Sequence, residues 1–294
     1  MSGQRSHTLV MLHLAVLLAG WTGVFGRLIS LDGLPLVWYR VMVSVPCMVA
    51  VLAVSGRLKK VPVSQLWPIL GCGVLLAIHW VAFYESIKSS NVSVGVACIA
   101  TSCFFTTLFN PIFGARKFSV KEVLLSFIAI AGILLIFSID IRYRTGILWG
   151  LFSAAVYSLF AIFNIRTGKL TGQDSATMLM WELAGSLIIL SVCVPLLSLL
   201  RQAPIPTPQG MDIWWLIILG SVLTIIPFLF QIIALRRLSA FTVNVTYNLE
   251  PVYSIIFAAV LFDEAREVGW SFWLGMALVI FSVIAVARSG RYSS

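Results

Sequence analysis

The sequence predicts an all-α integral membrane protein with ten transmembrane helices arranged as two inverted five-helix repeats. Three observations lead there. Hydrophobic residues make up 60% of the 294 positions and charged residues only 11%, with a mean hydropathy of +1.01. A soluble domain carries roughly 25% charged residues, so this much apolar surface belongs in lipid. Ten apolar segments are each long enough to cross a bilayer at about 20 residues per crossing. The two halves are also alike, and an odd number of spans in each sets the second half upside down relative to the first.

The first span, 8–26, follows only Arg5 and His7 and lacks an A-x-A cleavage site, so it reads as a retained span and not a signal peptide. Spans at 35–55, 66–87, 91–113 and 122–139 complete the first repeat, residues 1–144. Spans at 146–165, 175–200, 212–234, 241–261 and 270–287 form the second, residues 145–294. The clearest breaks are Gly56 to Gln65, Gly114 to Lys121, and Arg201 to Gly210 with Pro204, Pro206 and Pro208. No segment between spans is long enough to fold as a soluble domain. Small residues at Gly71, Gly73, Gly95, Gly150 and Gly185 are expected to ease close helix crossings.

Charge placement sets the orientation. With the N-terminus inside, the inner segments (Arg57, Lys59, Lys60, Arg116 and Lys117 among them) outnumber the outer ones (such as Arg27 and Lys88) in Lys and Arg by roughly two to one. Both termini are therefore expected in the cytoplasm, with the chain multi-pass in a bacterial cytoplasmic membrane. The formal net charge of +9 is scattered in small groups between apolar runs, which argues against a nucleic-acid partner. All five cysteines lie in apolar segments without a CxxC, so neither a disulfide framework nor a metal site is expected, and no cofactor is implied.

The repeat is clearest at the ends of the halves. Residues 91–137 read as a polar-small helix, a basic loop at Arg116 and Lys117, and an apolar helix with Gly132. Residues 240–286 read as a polar-small helix, an acidic loop at Asp263 and Glu264, and an apolar helix with Gly275.

Pro35 to Arg40, Ser89 to Ser93, Ser239 to Val252 and Asp263-Glu264 together resemble the EamA-type family of the drug/metabolite transporter superfamily. Pro35 to Arg40 is similar to the start of the family's second helix, and Ser239 to Val252 to its ninth helix with a proline near the middle. Asp263-Glu264 is similar to the acidic turn before the last helix, and Ser89 to Ser93 to the corresponding turn of the first half. The first half departs from the second where Ser102 or Cys103 holds the place of Pro251, with a proline instead at Pro111. The resemblance implies ten helices in two inverted halves and a central cavity for small metabolites.

Ionisable groups at membrane depth cost about 2.5–3.5 kcal/mol on insertion scales, so each invites a functional reading. At about 1.5 Å per residue, Arg40 lies roughly 8 Å and His79 roughly 12 Å below the outer surface. Glu182 lies roughly 11 Å from the inner one, too far along the axis to pair with Arg40. Arg40 either binds an anionic group such as a carboxylate or snorkels, tied to Glu85 or to backbone carbonyls. His79 either hydrogen-bonds a ligand or carries a proton, or is a packed structural histidine. Trp80 and Tyr84 follow it at helical spacing as candidate cavity walls, while Phe83 reads as core packing. Glu250 precedes Pro251, which tends to kink a helix and free carbonyls that a cavity or a neighbouring side chain must satisfy. Asn244, Tyr247 and Pro251 share a face of that helix, and Asn248 adds an amide. Glu182 is a gating candidate through Arg166 or Arg236, and Glu250, Glu182 and His79 are the candidate sites for coupling protons.

There is no Walker loop, HExxH or G-x-S-x-G, which turns the reading away from an enzyme. The expectation is a secondary transporter, an exporter or exchanger of small metabolites such as amino acids, working by alternating access with the lipid bilayer as its environment. The alternatives are a membrane-embedded lipid-handling protein or enzyme, which would cluster ionisable residues at one interface, and a passive channel, which would need a continuous polar face on several helices.

Overall fold

The computed structural model describes residues 2–113, 127–128, 131–132, 135, 143–235, 246, 249–264 and 269–289. Regular structure among the described residues is helical throughout: α1 (Ser2–Leu28), α2 (Gly33–Val54), α3 (Val63–Lys88), α4 (Val92–Ile99), α5 (Ser102–Ile112), α6 (Arg144–Thr171), α7 (Ser175–Arg201), α8 (Met211–Gly220), α9 (Val222–Leu235), α10 (Glu250–Phe262) and α11 (Trp270–Ser289). Among the described residues, seven helical stretches are long and apolar enough to cross a membrane, two of them made of consecutive helices, Val92–Ile112 (α4 with α5) and Met211–Phe230 (α8 with α9). The chain is an integral multi-pass membrane protein. The span expected at 122–139 falls almost wholly outside the described residues, and the one at 241–261 is described mainly from Leu249 onward.

Three places depart from the uninterrupted helices expected from hydropathy. Between α4 and α5, the Thr101 hydroxyl donates to the Cys98 carbonyl at 2.6 Å and its backbone N–H makes a tight turn to the same oxygen at 3.0 Å. Between α8 and α9 the chain turns at Ser221, whose hydroxyl donates to the Ile217 carbonyl at 2.5 Å, while Pro227 further on supplies no backbone donor. The third concerns Pro251. It does not kink a continuous helix; α10 begins at Glu250 and Pro251 lies in its first turn, where a missing N–H is no loss.

α3 runs through the middle of the bundle, packed on α6 and α7. Its seam with α7 is set by two glycines. A Cβ on Gly73 would come 2.2 Å from the Glu182 carbonyl oxygen, and one on Gly185 would come 2.6 Å from that of Leu70. Backbones this close admit no side chain between them. Ser186 closes the seam by donating to the Gly73 carbonyl at 2.7 Å. Gly71, by contrast, faces open space and eases no crossing.

The end of the bundle where α1 and α3 finish and α2 and α4 begin is tied by carboxylates. Glu264, fully buried, caps the start of α4, accepting from the Val92 and Ser93 N–H groups at 3.0 and 2.9 Å and from the Ser93 hydroxyl at 2.6 Å, and it pairs with Arg27. Asp212 at the start of α8 accepts from the Ser30 N–H at 2.9 Å and from its hydroxyl. The Glu85 carboxylate lies against Gly33 at the start of α2 and does not anchor Arg40, whose partners are Tyr84 and Thr224. At the opposite end Asp174 caps α7 through the N–H groups of Ala176 and Thr177 and meets Arg57 at 3.3 Å. The described cysteines, Cys47, Cys72, Cys98 and Cys193, are free thiols.

Candidate functional site

The breaks in α4–α5 and α8–α9 and the start of α10 converge on a cavity of about 300 Å³ in the middle of the bundle. That is the lower end of the range for small-molecule sites. Ala100 and Ser102 reach it from the first break, Leu223 and Thr224 from the second, and Glu250 and Pro251 from the third. Aromatic walls come from Trp80 and Phe83 of α3, Tyr157 of α6 and Phe228 of α9.

Arg40 is the most constrained polar group there. It is 4% exposed and lines the cavity. Its Nη1 donates to the Tyr84 hydroxyl at 2.8 Å, and its Nε donates to Thr224 Oγ1 at 3.1 Å. Thr224 can accept because its own hydrogen goes to the Leu219 carbonyl at 2.6 Å, an oxygen next to the break at Ser221. The helix break is thus satisfied by a threonine whose spare lone pair aims an arginine. The guanidinium also lies over the Trp80 ring, 3.9 Å from its centroid, a stacking that the planar cation favours. Among the described residues Arg40 forms no ion pair, and its Nη2 has no partner. Glu250 lines the same cavity, half-buried, and its carboxylate has no hydrogen-bond partner among the described residues. The site therefore presents a guanidinium and a carboxyl that no hydrogen bond or ion pair among the described residues joins.

His79 is buried at 7% exposure and also lines the cavity. Its Nδ1 lies 3.1 Å from the Ser153 carbonyl, which can only accept, and 2.9 Å from the Ser153 hydroxyl, whose own hydrogen goes to the His79 carbonyl at 2.8 Å. Nδ1 therefore carries the hydrogen, and Nε2, without a partner among the described residues, is left as an acceptor. The ring packs against Tyr157 at 4.9 Å between centroids.

The sequence-derived candidates divide as follows. Arg40, His79, Trp80, Glu250 and Pro251 meet around one cavity. Tyr84 is fully buried behind Arg40 and positions it without lining the space. Phe83, expected to be core packing, belongs to the buried core and also forms part of the wall. Asn244, Tyr247 and Asn248 lie outside the described residues. Glu182 does not line the cavity, and the pairing expected for it is not the one found. Its Oε1 accepts from Asn164 at 2.5 Å, Arg166 is exposed, and Arg236 lies outside the described residues. Sequence reasoning missed Thr224. The available signal was Ser221, Thr224 and Pro227, hydroxyls and a proline three residues apart in an otherwise apolar run.

A helical membrane protein whose broken helices enclose a polar-and-aromatic cavity is built to admit a small solute. The chain belongs to the EamA-like transporter family, whose model matches it twice, over residues 7–138 and 144–288. It is thus a membrane transporter of small solutes built from two repeats of that family. A solved crystal structure of a protein superposes on it with a TM-score of 0.63 at 16% identity, covering 98% of this chain and 99% of the other, a likeness of fold. No curated protein matches the chain.

Proposed function

We propose that the protein is a secondary transporter that exports or exchanges small metabolites such as amino acids by alternating access through the central cavity. In this reading ten spans form two inverted halves, residues 1–144 and 145–294, with both termini on the cytoplasmic side of a bacterial cytoplasmic membrane. The observation that carries it is Arg40: a buried guanidinium, oriented by Tyr84, Thr224 and Trp80, that lines the cavity and has no carboxylate partner among the described residues. Such a group takes the carboxylate of a solute in a charge-assisted hydrogen bond. His79 Nε2 accepts from the solute, Glu250 faces its cationic part, and Trp80, Phe83, Tyr157 and Phe228 hold its apolar part.

Uptake and release of labelled amino acids by sealed liposomes carrying the protein test this reading. Saturable flux is expected. Arg40→Ala is expected to raise the half-saturating concentration of carboxylate-bearing substrates on the order of tenfold, equivalent to about 1.5 kcal/mol. Neutral amide analogues should be affected far less. Absence of saturable flux for any amino acid or other small metabolite, or equal losses for acid and amide, would overturn the assignment.

A further inference from the structure

One buried acid is not used by the cavity. Glu182, in the second turn of α7, is 1% exposed. Its Oε1 is held by Asn164 of α6 at 2.5 Å, and its Oε2 has no hydrogen-bond partner among the described residues. The neighbouring Trp181 indole N–H is equally buried and has no partner among the described residues. Among the described residues no basic group answers the carboxyl. α3 presents Cys72, itself engaged with Thr167 at 3.5 Å, and the glycine backbone at Gly73. α6 presents the Asn164 amide, while its Arg166 is exposed. The arginine of α2, Arg40, lies at the cavity, bonded to Tyr84 and Thr224, and forms no ion pair with Glu182. α7 itself adds only Trp181 and Ser186 nearby, and the Ser186 hydroxyl spans the Gly73 and Glu182 carbonyls. A carboxylate with one bare oxygen and no counter-ion does not persist in such a place, and a carboxylic acid does.

The location gives that proton a use. Glu182 sits on the α3–α7 seam, where a Cβ at Gly73 would meet its carbonyl oxygen at 2.2 Å. α3 lies in the first family match and α7 in the second, so the seam joins the repeats. Leu179, one turn before Glu182 on the same helix, lines the solute cavity, as do His79 and Trp80 of α3. Any solute-dependent shift of α7 against α3 therefore moves both the cavity wall and the surroundings of the carboxyl.

We propose that Glu182 is a proton-binding site that couples transport to the transmembrane proton gradient. The acid form belongs to the closed seam. When the halves part, water reaches Oε2, the O–H bond breaks, the proton passes to water, and the carboxylate is hydrated until the seam closes and takes a proton back. The site is separate from the one that binds the solute, so solute recognition and proton binding fall on different residues. The inference rests on the transporter reading given above, and its test separates the two.

Liposomes carrying the full chain are loaded with the pH dye pyranine, and an equimolar mixture of labelled amino acids serves as probe. Two quantities are read: exchange at equal pH on both sides, and accumulation under an imposed gradient of one pH unit. Wild type is expected to exchange, to move protons with the label, and to change its accumulation ratio by up to about tenfold under that gradient, the limit for one proton per solute. The sign of the effective gradient tells symport from antiport. Glu182→Gln, isosteric with the acid, is expected to keep exchange and to lose the response to the gradient. Glu182→Asp, which keeps a carboxyl, should retain the response. Wild-type exchange with no proton movement, or a gradient response preserved in Glu182→Gln, would overturn the coupling role and leave the transporter reading standing. Absence of flux in wild type would overturn both.

Discussion

Replacing Glu264 by alanine tests whether a single carboxylate holds one end of the bundle together. Its loss orphans the N–H groups of Val92 and Ser93 and the Ser93 hydroxyl, all of which it accepts from within 3.0 Å. An unsatisfied buried polar group costs about 1–3 kcal/mol, and loss of a helix cap about 1 kcal/mol. The Arg27 side chain is 33% exposed, so its half of the ion pair adds little. Water reaching the end of the bundle relieves part of the sum, leaving a destabilisation of about 3 kcal/mol. At roughly 2 °C per kcal/mol for a chain of this size, Tm should fall by about 6 °C. Cys72 and Cys98, each 2% exposed, supply the assay, since a thiol-reactive fluorophore reports their exposure on heating. Glu264→Gln keeps an acceptor oxygen and should fall by about half as much. An alanine variant that melts within a degree of wild type would mean that the start of α4 finds other acceptors, and the argument from capping would fail.

Gly73→Ala places a methyl 2.2 Å from the Glu182 carbonyl oxygen, so α3 and α7 must separate. An overpacking cost of about 1–3 kcal/mol is expected, visible in the same melting assay, and unchanged stability would contradict the seam geometry. Tyr84→Phe removes the acceptor for Arg40 Nη1 without touching the cavity surface. It should weaken carboxylate binding by roughly tenfold at nearly unchanged maximal flux, reflecting a charge-assisted bond of about 1.5 kcal/mol, and an unchanged half-saturating concentration would remove Tyr84 from the positioning role. Asp174, outside the spans, is partly desolvated, but hydrogen bonds from Thr177 and Ala176 and the Arg57 charge outweigh this and hold its carboxyl below the ordinary range. Its stabilisation is therefore full above the unfolded-state pKa of about 3.9 and is lost as pH falls through the lower folded value. An acid titration of stability should show a loss below about pH 4 that is smaller in Asp174→Asn, and identical acid profiles would exclude the linkage.

The membrane class and the family were legible because they rest on composition and on motifs spread along the chain. Hydropathy averages over about twenty residues, and on that scale the seven described crossings stand out. The same averaging hides the breaks. Thr101, with Ser102 beside it, and Ser221 are hydroxyl residues inside helical spans, and only the bonds of Thr101 and Ser221 to the carbonyls of Cys98 and Ile217 reveal that the helix stops there. Depth estimates rightly kept Arg40 apart from Glu182. They could not rank Tyr84, Thr224 and Glu85 as partners for Arg40, because that depends on how α2, α3 and α9 are rotated about their axes. Glu264 shows a different gap. Its turn was recognised by its acidity, but the partner that gives the acid its purpose, the start of α4, lies 171 residues away in sequence for Ser93.

The breaks and the cavity have one cause. In a bilayer every backbone group freed from a helix must be satisfied inside the protein or by enclosed water, so a span can stop only where polar groups or a cavity await it. Here the Ala100–Thr101 turn, the Ser221 turn and the start of α10 all come to the same space, and Arg40, His79 and Glu250 stand around it. Thr224 shows the economy of this: one hydroxyl satisfies the Leu219 carbonyl and orients the Arg40 guanidinium. An apolar residue in its place would leave a free carbonyl and an unaimed arginine together. The polar groups that tolerate the broken helices are thus the same ones that can bind a solute, and a chain that kept its spans continuous would have no reason to carry them at this depth.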